Sequence, residues 1–213
     1  VVDAKNNNKT FITEKFGLSS KKNLLFCCIS RLVEQKGPLL ILEAAEYILK
    51  KGGKFILIGS SFEPDTKKLF FDFQEKHKNN SSTYCHFKFD EKLAHQCYAA
   101  SDYIIVPSLF EPCGLTQLIA MRYGTIPIVH SVGGLKDTVI DGETAANGTG
   151  YTFNVPRKKA LKNAINRAFK DGVDNKEKTA MLLNNCLKND CSWLVSARKY
   201  IDLYENLIKK NDN

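Results

Sequence analysis

Two fixed cations stand five residues apart on one short segment, Arg31-Leu-Val-Glu-Gln-Lys36-Gly37, directly after the apolar run LLFCCIS at 24–30. A guanidinium and an ammonium held that close suit a phosphate or a diphosphate. Further along, Gly114-Leu115-Thr116 opens a helical pattern, where unpaired backbone N–H groups and the helix dipole favour an anion. Gly133-Gly134 lets a ligand approach the backbone with no Cβ in the way. Glu111 is the discordant member, because a pure phosphate site has no use for a carboxylate. A ligand carrying sugar hydroxyls as well as phosphates does. Phe89 adds a flat apolar face suited to a base. Together these residues describe a site for a sugar–diphosphate–nucleoside.

Each piece also has a plainer reading. Arg and Lys five apart are usually surface charges, and a Gly-Gly pair is usually a turn. Glu111-Pro112 could simply start the next helix, whose first turn favours an acid. An aromatic at a strand end, such as Phe89, is more often core than base platform. Cys113 beside Glu111 invites a nucleophile role, but no His lies near it in sequence, and free Cys is commonly a packing residue. His95 and His130 read as structural. Trp193 and Tyr200, at helical spacing, read as packing residues.

What separates these readings is where the elements put the residues. The chain alternates strand-like and helix-like segments from Leu24 onward. A continuous apolar run predicts a strand over 24–30, buried on both faces, and further strands are read over 55–59, 83–89, 102–107 and 126–130. Helical patterns run over 38–51, 64–78, 91–100 and 114–123. The first carries Leu39, Leu42, Ala45 and Leu49 on one stripe and stops at Gly52-Gly53. Five βα repeats imply an α/β fold, a Rossmann-like doubly wound parallel sheet with helices on both faces. Ligands of such sheets bind outside the carboxyl ends of the strands. The segments that follow the first, third, fourth and fifth strands are the ones carrying Arg31 and Lys36, Phe89, Glu111 to Gln117, and Gly133-Gly134. Four unusual loops therefore share one rim, and a motif counts most in its expected context. Beyond Tyr151-Thr152-Phe153 the chain reads as all helix, near 157–171, 175–188 and 192–209. The expected division is a linker or first helix at 1–23, a nucleotide-sugar-binding core at 24–156, and C-terminal helices at 157–213.

Composition narrows the class. The 213 residues suffice for one domain with a small appendage. No apolar run approaches the roughly 20 residues of a membrane span, and the N-terminus lacks the hydrophobic core of a signal peptide. The chain does not begin with Met, which suggests a piece of a longer protein. A net charge of +8 raises nucleic-acid binding, but the lysines are spread along helices and tails, with no Arg-rich block. A solvated basic surface is the preferred reading. Seven cysteines, at 27, 28, 85, 97, 113, 186 and 191, form no Cys-x-x-Cys. They read as reduced, mostly buried thiols in a cytosol-like compartment.

At the rim loops the sequence resembles a known family. Ser30-Arg31-Leu32 with Gln35-Lys36-Gly37, Pro107-Ser108, and the run Phe110-Glu111-Pro112-Cys113-Gly114-Leu115-Thr116-Gln117 closely resemble bacterial glycogen synthases and plant starch synthases. Arg122-Tyr123-Gly124-Thr125, Pro127, Gly133-Gly134-Leu135, Asp137-Thr138-Val139 and the ending Ser192-Trp193, Ala197, Tyr200, Leu203-Tyr204 extend the match over nearly the whole chain. The resemblance implies the C-terminal half of a GT-B glycosyltransferase, whose other half, with a Lys-Thr-Gly-Gly-Leu motif, is not in this sequence. It implies a retaining hexosyltransferase that moves glucose from ADP-glucose to the non-reducing end of an α-1,4-glucan, with the isolated chain inactive.

By position, the resemblance makes Arg31, Lys36 and Glu111 catalytic: the cations bind and stabilise the leaving diphosphate, and Glu111 contacts the transferred glucose. Phe89 lies against adenine, while Cys113, Gly114, Leu115, Thr116, Gly133 and Gly134 surround the donor. No cofactor and no metal are implied. The implied partners are ADP-glucose or ADP, the glucan acceptor and the absent N-terminal domain, with neither nucleic acid nor membrane. The location is cytoplasmic in a bacterium, since no transit-like segment is visible, or plastidic in a plant. Two departures matter. Many retaining GT-B enzymes carry a second Glu eight residues after the first, where this chain has Ile119, which fits the synthases but leaves the ribose contact unassigned. Val132 replaces a hydroxyl residue of some relatives. The competing readings are a UDP-sugar-dependent, sucrose-synthase-like transferase and a non-catalytic nucleotide or glucan binding module. An NAD-binding domain would need Gly-x-Gly-x-x-Gly after the first strand, which Arg31 to Gly37 does not supply.

Overall fold

Continuous apolar strands bury both of their faces, and in the computed structural model the central strands feed two cores. The structure describes residues 2–21, 23–61 and 63–211. The sheet has six parallel strands in the order β3-β2-β1-β4-β5-β6: β1 (Leu25–Arg31), β2 (Lys54–Ser60), β3 (Thr83–His86), β4 (Tyr103–Val106), β5 (Ile126–His130) and β6 (Tyr151–Phe153). The switch point, where the winding reverses, lies between β1 and β4. Phe26 and Cys28 of β1 and Phe55 and Leu57 of β2 join a core under helices α2 (Pro38–Lys50), α3 (Pro64–Lys76), α7 (Lys158–Asp174) and α8 (Lys176–Lys188). The alternate residues Leu25, Cys27, Ile56 and Ile58 face the opposite core with α1 (Val2–Lys15) and α4 (Glu91–Ala100). Period-two alternation thus shares these strands between the two layers. Burial of each such side chain stabilises the fold by about 1.5–3 kcal/mol.

The structure differs from the sequence reading in four places. The sheet gains β6, whose three residues are too short for a period to show, although Tyr151 and Phe153 are buried against the neighbouring strand. Strand β3 ends at His86 and does not reach Phe89. Phe87 leaves the strand to set its ring edge-on against Phe70 and Phe71 of α3. Helix α5 (Thr116–Arg122) starts two residues later than expected, and Gly133–Thr138, read as loop, forms the short helix α6. Of the seven free thiols, Cys27, Cys28, Cys85, Cys97 and Cys186 are buried, and Cys113 and Cys191 are exposed.

Helix α1 is tied to the amino ends of the strands. Lys9 Nζ pairs with Asp102 at 2.5 Å, and Asp102 also accepts the Leu25 N–H at 2.7 Å. Lys5 is buried and donates to Thr125 Oγ1 at 2.8 Å. At the other terminus, α9 (Trp193–Asn211) leaves the body of the domain. Trp193 is 85% exposed and Tyr200 55%, and Leu203, Tyr204, Leu207 and Ile208 are also exposed. The expectation that Trp193 and Tyr200 are packed is not met within this chain.

Candidate nucleotide-sugar site

The carboxyl rim gathers the loops after β1, β4 and β5 into direct contact. A 3-10 turn, Glu34–Lys36, follows β1 and ends at Gly37 in the left-handed region, φ 66°. A Cβ at Gly37 would lie 2.6 Å from the Pro107 carbonyl oxygen, so the close approach of these two loops requires glycine. The junction is zipped by the Leu109 N–H on the Gln35 carbonyl at 2.8 Å and by Gln35 Nε2 on the Phe110 carbonyl at 3.2 Å.

This zipper brings Lys36 onto Glu111. Lys36 Nζ donates to Glu111 Oε2 in an ion pair whose side chains are 18% and 8% exposed. Ser108 Oγ, fully buried, donates to the same oxygen at 2.9 Å. Buried His130 in turn places Nδ1 2.7 Å from the Ser108 carbonyl and stacks on Phe153. Glu111 Oε1 takes no hydrogen bond among the described residues, which leaves an acceptor for a ligand hydroxyl. Arg31, the last residue of β1, is exposed and makes no ion pair among the described residues. One cation of the rim is therefore neutralised by the carboxylate, and the other is open to an anion.

The glycines after β5 seal the far side. The Gly134 N–H donates to the Glu111 carbonyl at 2.8 Å. A Cβ at Gly133 would collide with the Glu111 carbonyl oxygen, and one at Gly134 with that of Cys113. Buried Gln117 donates to the Gly114 carbonyl at 2.8 Å and to Thr138 Oγ1 at 3.0 Å, joining α5 to α6. Cys113 and Leu115 are exposed and Thr116 is half-buried. Phe89 is 86% exposed on the loop after β3, two strands from β1 and so about 10 Å across the rim. It belongs to no core.

All ten site residues expected from the sequence lie on this rim, and contact unites Lys36, Glu111, Cys113, Gly133 and Gly134. Ser108, Gln35 and Gln117 hold the site from behind and have no site role in the sequence reading. Their signal is their place inside the motifs that carry the resemblance. Among the described residues, no group of three or more His, Cys, Asp or Glu side chains could hold a metal ion.

A 3-2-1-4-5-6 parallel sheet with cationic and glycine-lined loops at its carboxyl rim defines one Rossmann-like half of a GT-B glycosyltransferase. The chain belongs to the family described as glycosyl transferases group 1, whose model matches residues 8–185. It is 40% identical over 214 residues to the glycogen synthase of Protochlamydia amoebophila, covering 99% of this chain and 43% of that protein. It is also 40% identical to probable starch synthase 4, chloroplastic/amyloplastic, of Arabidopsis thaliana, covering 98% of this chain and 21% of that protein. Among solved structures, the catalytic domain of starch synthase IV from Arabidopsis thaliana, bound to ADP and acarbose, superposes with a TM-score of 0.89 at 41% identity. That match covers 95% of this chain and 42% of the other. The chain spans less than half the length of these relatives.

Proposed function

We propose that this chain is the donor-binding half of a glycogen or starch synthase, which transfers glucose from ADP-glucose with retention to the non-reducing end of an α-1,4-glucan. The observation that carries the reading is the Lys36–Glu111 pair beside the open Arg31 on the carboxyl rim. The relatives named glycogen synthase and the likeness to a starch synthase bound to ADP and acarbose support it.

In this reading Arg31 and Lys36 hold the diphosphate, and Glu111 presents Oε1 to a glucose hydroxyl while Ser108 fixes its other oxygen. As the glycosidic bond breaks, positive charge grows on the sugar and negative charge on the departing diphosphate. Cations already in place need no reorganisation at that moment, which makes such electrostatics a large catalytic term. Phe89 offers its exposed ring to adenine. The backbone of Cys113, Gly114, Leu115 and Thr116 and the glycines 133 and 134 line the phosphates and the sugar. No residue is assigned to the ribose.

The rim forms one wall of a cleft, and we assign the other to an N-terminal domain of the same protein. The relatives' greater length and the exposed apolar stripe of α9 support that assignment. In the same reading the chain divides into a linker or first helix at 1–23, the core at 24–156 and C-terminal helices at 157–213. The test is calorimetric titration of this chain with ADP, ADP-glucose and UDP. Adenine-selective binding that weakens at least tenfold in Lys36→Ala supports the reading. Equal binding of UDP favours a UDP-sugar enzyme, and binding that ignores Lys36 removes the rim from the donor site.

A further inference from the structure

A basic cavity lies at the end of the sheet opposite the rim. It is a hollow of ≈ 460 Å³ between α1 and the amino end of β2, lined by Asn6, Lys9, Thr10, Thr13, Lys21 and Lys54 among others. Strand β1 spans seven residues, so this cavity is about 20 Å from the rim that carries Arg31.

Lys54 is the unusual member. It opens β2, is 2% exposed, and its ammonium makes no ion pair or hydrogen bond among the described residues. An ammonium with reduced access to water is costly without a counter-charge. Burial, followed by the nearby charge of Lys9, lowers its pKa, against a smaller opposing pull from Asp102. Asp102 is already engaged by Lys9 and by the Leu25 N–H, so it does not serve Lys54 as a dedicated partner. Three lysines thus face the cavity, Lys9 paired with Asp102 behind it, against one lining carboxylate, the exposed Glu14. The remaining polar lining is Asn6, Thr10, Thr13 and Ser20, an amide and three hydroxyls. Its volume falls in the range of small-molecule sites.

We propose that this cavity binds a phosphate-bearing small molecule, with the phosphate against Lys54, Lys9 and Lys21 and any hydroxyl-bearing remainder against the threonines and Asn6. The site is separate from the donor rim and uses none of its residues. Because Lys9 and Asp102 also tie α1 to β1 and β4, occupancy stiffens the attachment of α1 to the sheet.

The test is an amide NMR titration of the full chain with inorganic phosphate, a pentose phosphate and the unphosphorylated pentose as separate arms. The expected result is saturable shifts at Thr13, Ser20, Lys21 and Lys54. They persist in Lys36→Ala and weaken at least tenfold in Lys54→Met, which keeps the buried stem and removes the charge. Tighter binding of the pentose phosphate than of phosphate identifies a phosphorylated metabolite, and equal binding identifies free phosphate as the ligand. Should Lys54→Met fold poorly, Lys21→Ala, on an exposed residue, provides the same reading. Shifts confined to the segments 31–37 and 111–117, or no shift at 10 mM ligand (on the order of a very weak site), overturn the proposal.

Discussion

Lys36 and Glu111 are 75 residues apart and meet in an ion pair with little exposure, and Ser108 grips the same carboxylate oxygen. The pair puts a cation and an acid within one small volume of the rim. That lets a single site address a phosphate and a sugar hydroxyl. It also makes the ligand-free site electrically settled, since neither charge is buried alone.

A double-mutant cycle on Lys36→Ala and Glu111→Ala measures that relationship. Each single change strands a poorly solvated charge, so the two should couple by more than about 1 kcal/mol in urea unfolding. A coupling near zero would mean the pair behaves as an ordinary surface contact.

Gly134 offers a sharper structural test. A Cβ there meets the Cys113 carbonyl oxygen, a backbone atom that cannot swing aside. Gly134→Ala should cost about 3 kcal/mol, at the upper end of ordinary substitutions, and should weaken ADP binding. Gly52→Ala serves as the comparison, because a Cβ at Gly52 (φ 81°) meets nothing within 4 Å. Its cost is left-handed strain alone, about 1–2 kcal/mol. Equal melting temperatures for the two variants would contradict the packing described at the rim.

Phe89 contributes nothing to the cores, so Phe89→Ala should leave stability within about 0.5 kcal/mol. If its ring supports a base, the loss of stacking is worth roughly 1–3 kcal/mol. ADP affinity should then fall about tenfold, while inorganic pyrophosphate binding stays unchanged. Parallel losses for both ligands would assign Phe89 a role in loop shape and remove it as the base platform.

Stability should collapse at alkaline pH. Burial pushes the Cys27, Cys85 and Cys186 thiols up to about 12 and raises Cys28 and Cys97 as well. Above the ordinary value of 9.0 the unfolded chain loses these protons and the folded one keeps them. Stability therefore falls with pH, by about 1.4 kcal/mol per unit for each thiol. Lys5 works the other way. Burial lowers its pKa from 10.5 to about 8, opposed by Asp102, so between those values the unfolded state holds more protons and stability rises with pH. A single lysine offsets at most one of the five thiols per pH unit, up to its unfolded value and none beyond it. Urea midpoints should therefore fall from about pH 9 and fall most steeply beyond about pH 10.5. Lys5→Met should steepen the fall between about pH 8 and 10. A midpoint unchanged at pH 11 would show that these thiols are reachable by solvent.

The alternation of apolar runs and helical stripes was enough to read a doubly wound parallel sheet, because periodicity and burial on both faces are local properties of the chain. The same order put Arg31, Phe89, Glu111 and the two glycines on one rim, since every parallel strand delivers its following loop to the same side. The tertiary structure decided what adjacency along the chain cannot express. Strand β6 exists because β5 offers an open edge to three residues too few to show a pattern. Phe87 turns inward and leaves Phe89 in solvent because α3 supplies the partners Phe70 and Phe71. Lys36 meets Glu111 because β1 and β4 are neighbours at the switch point. Lys54, an unremarkable lysine in the sequence, comes to share a cavity with Lys9 of α1 and Lys21 only in the folded chain. These are contacts between segments far apart in the chain, set by packing free energy and not by local pattern.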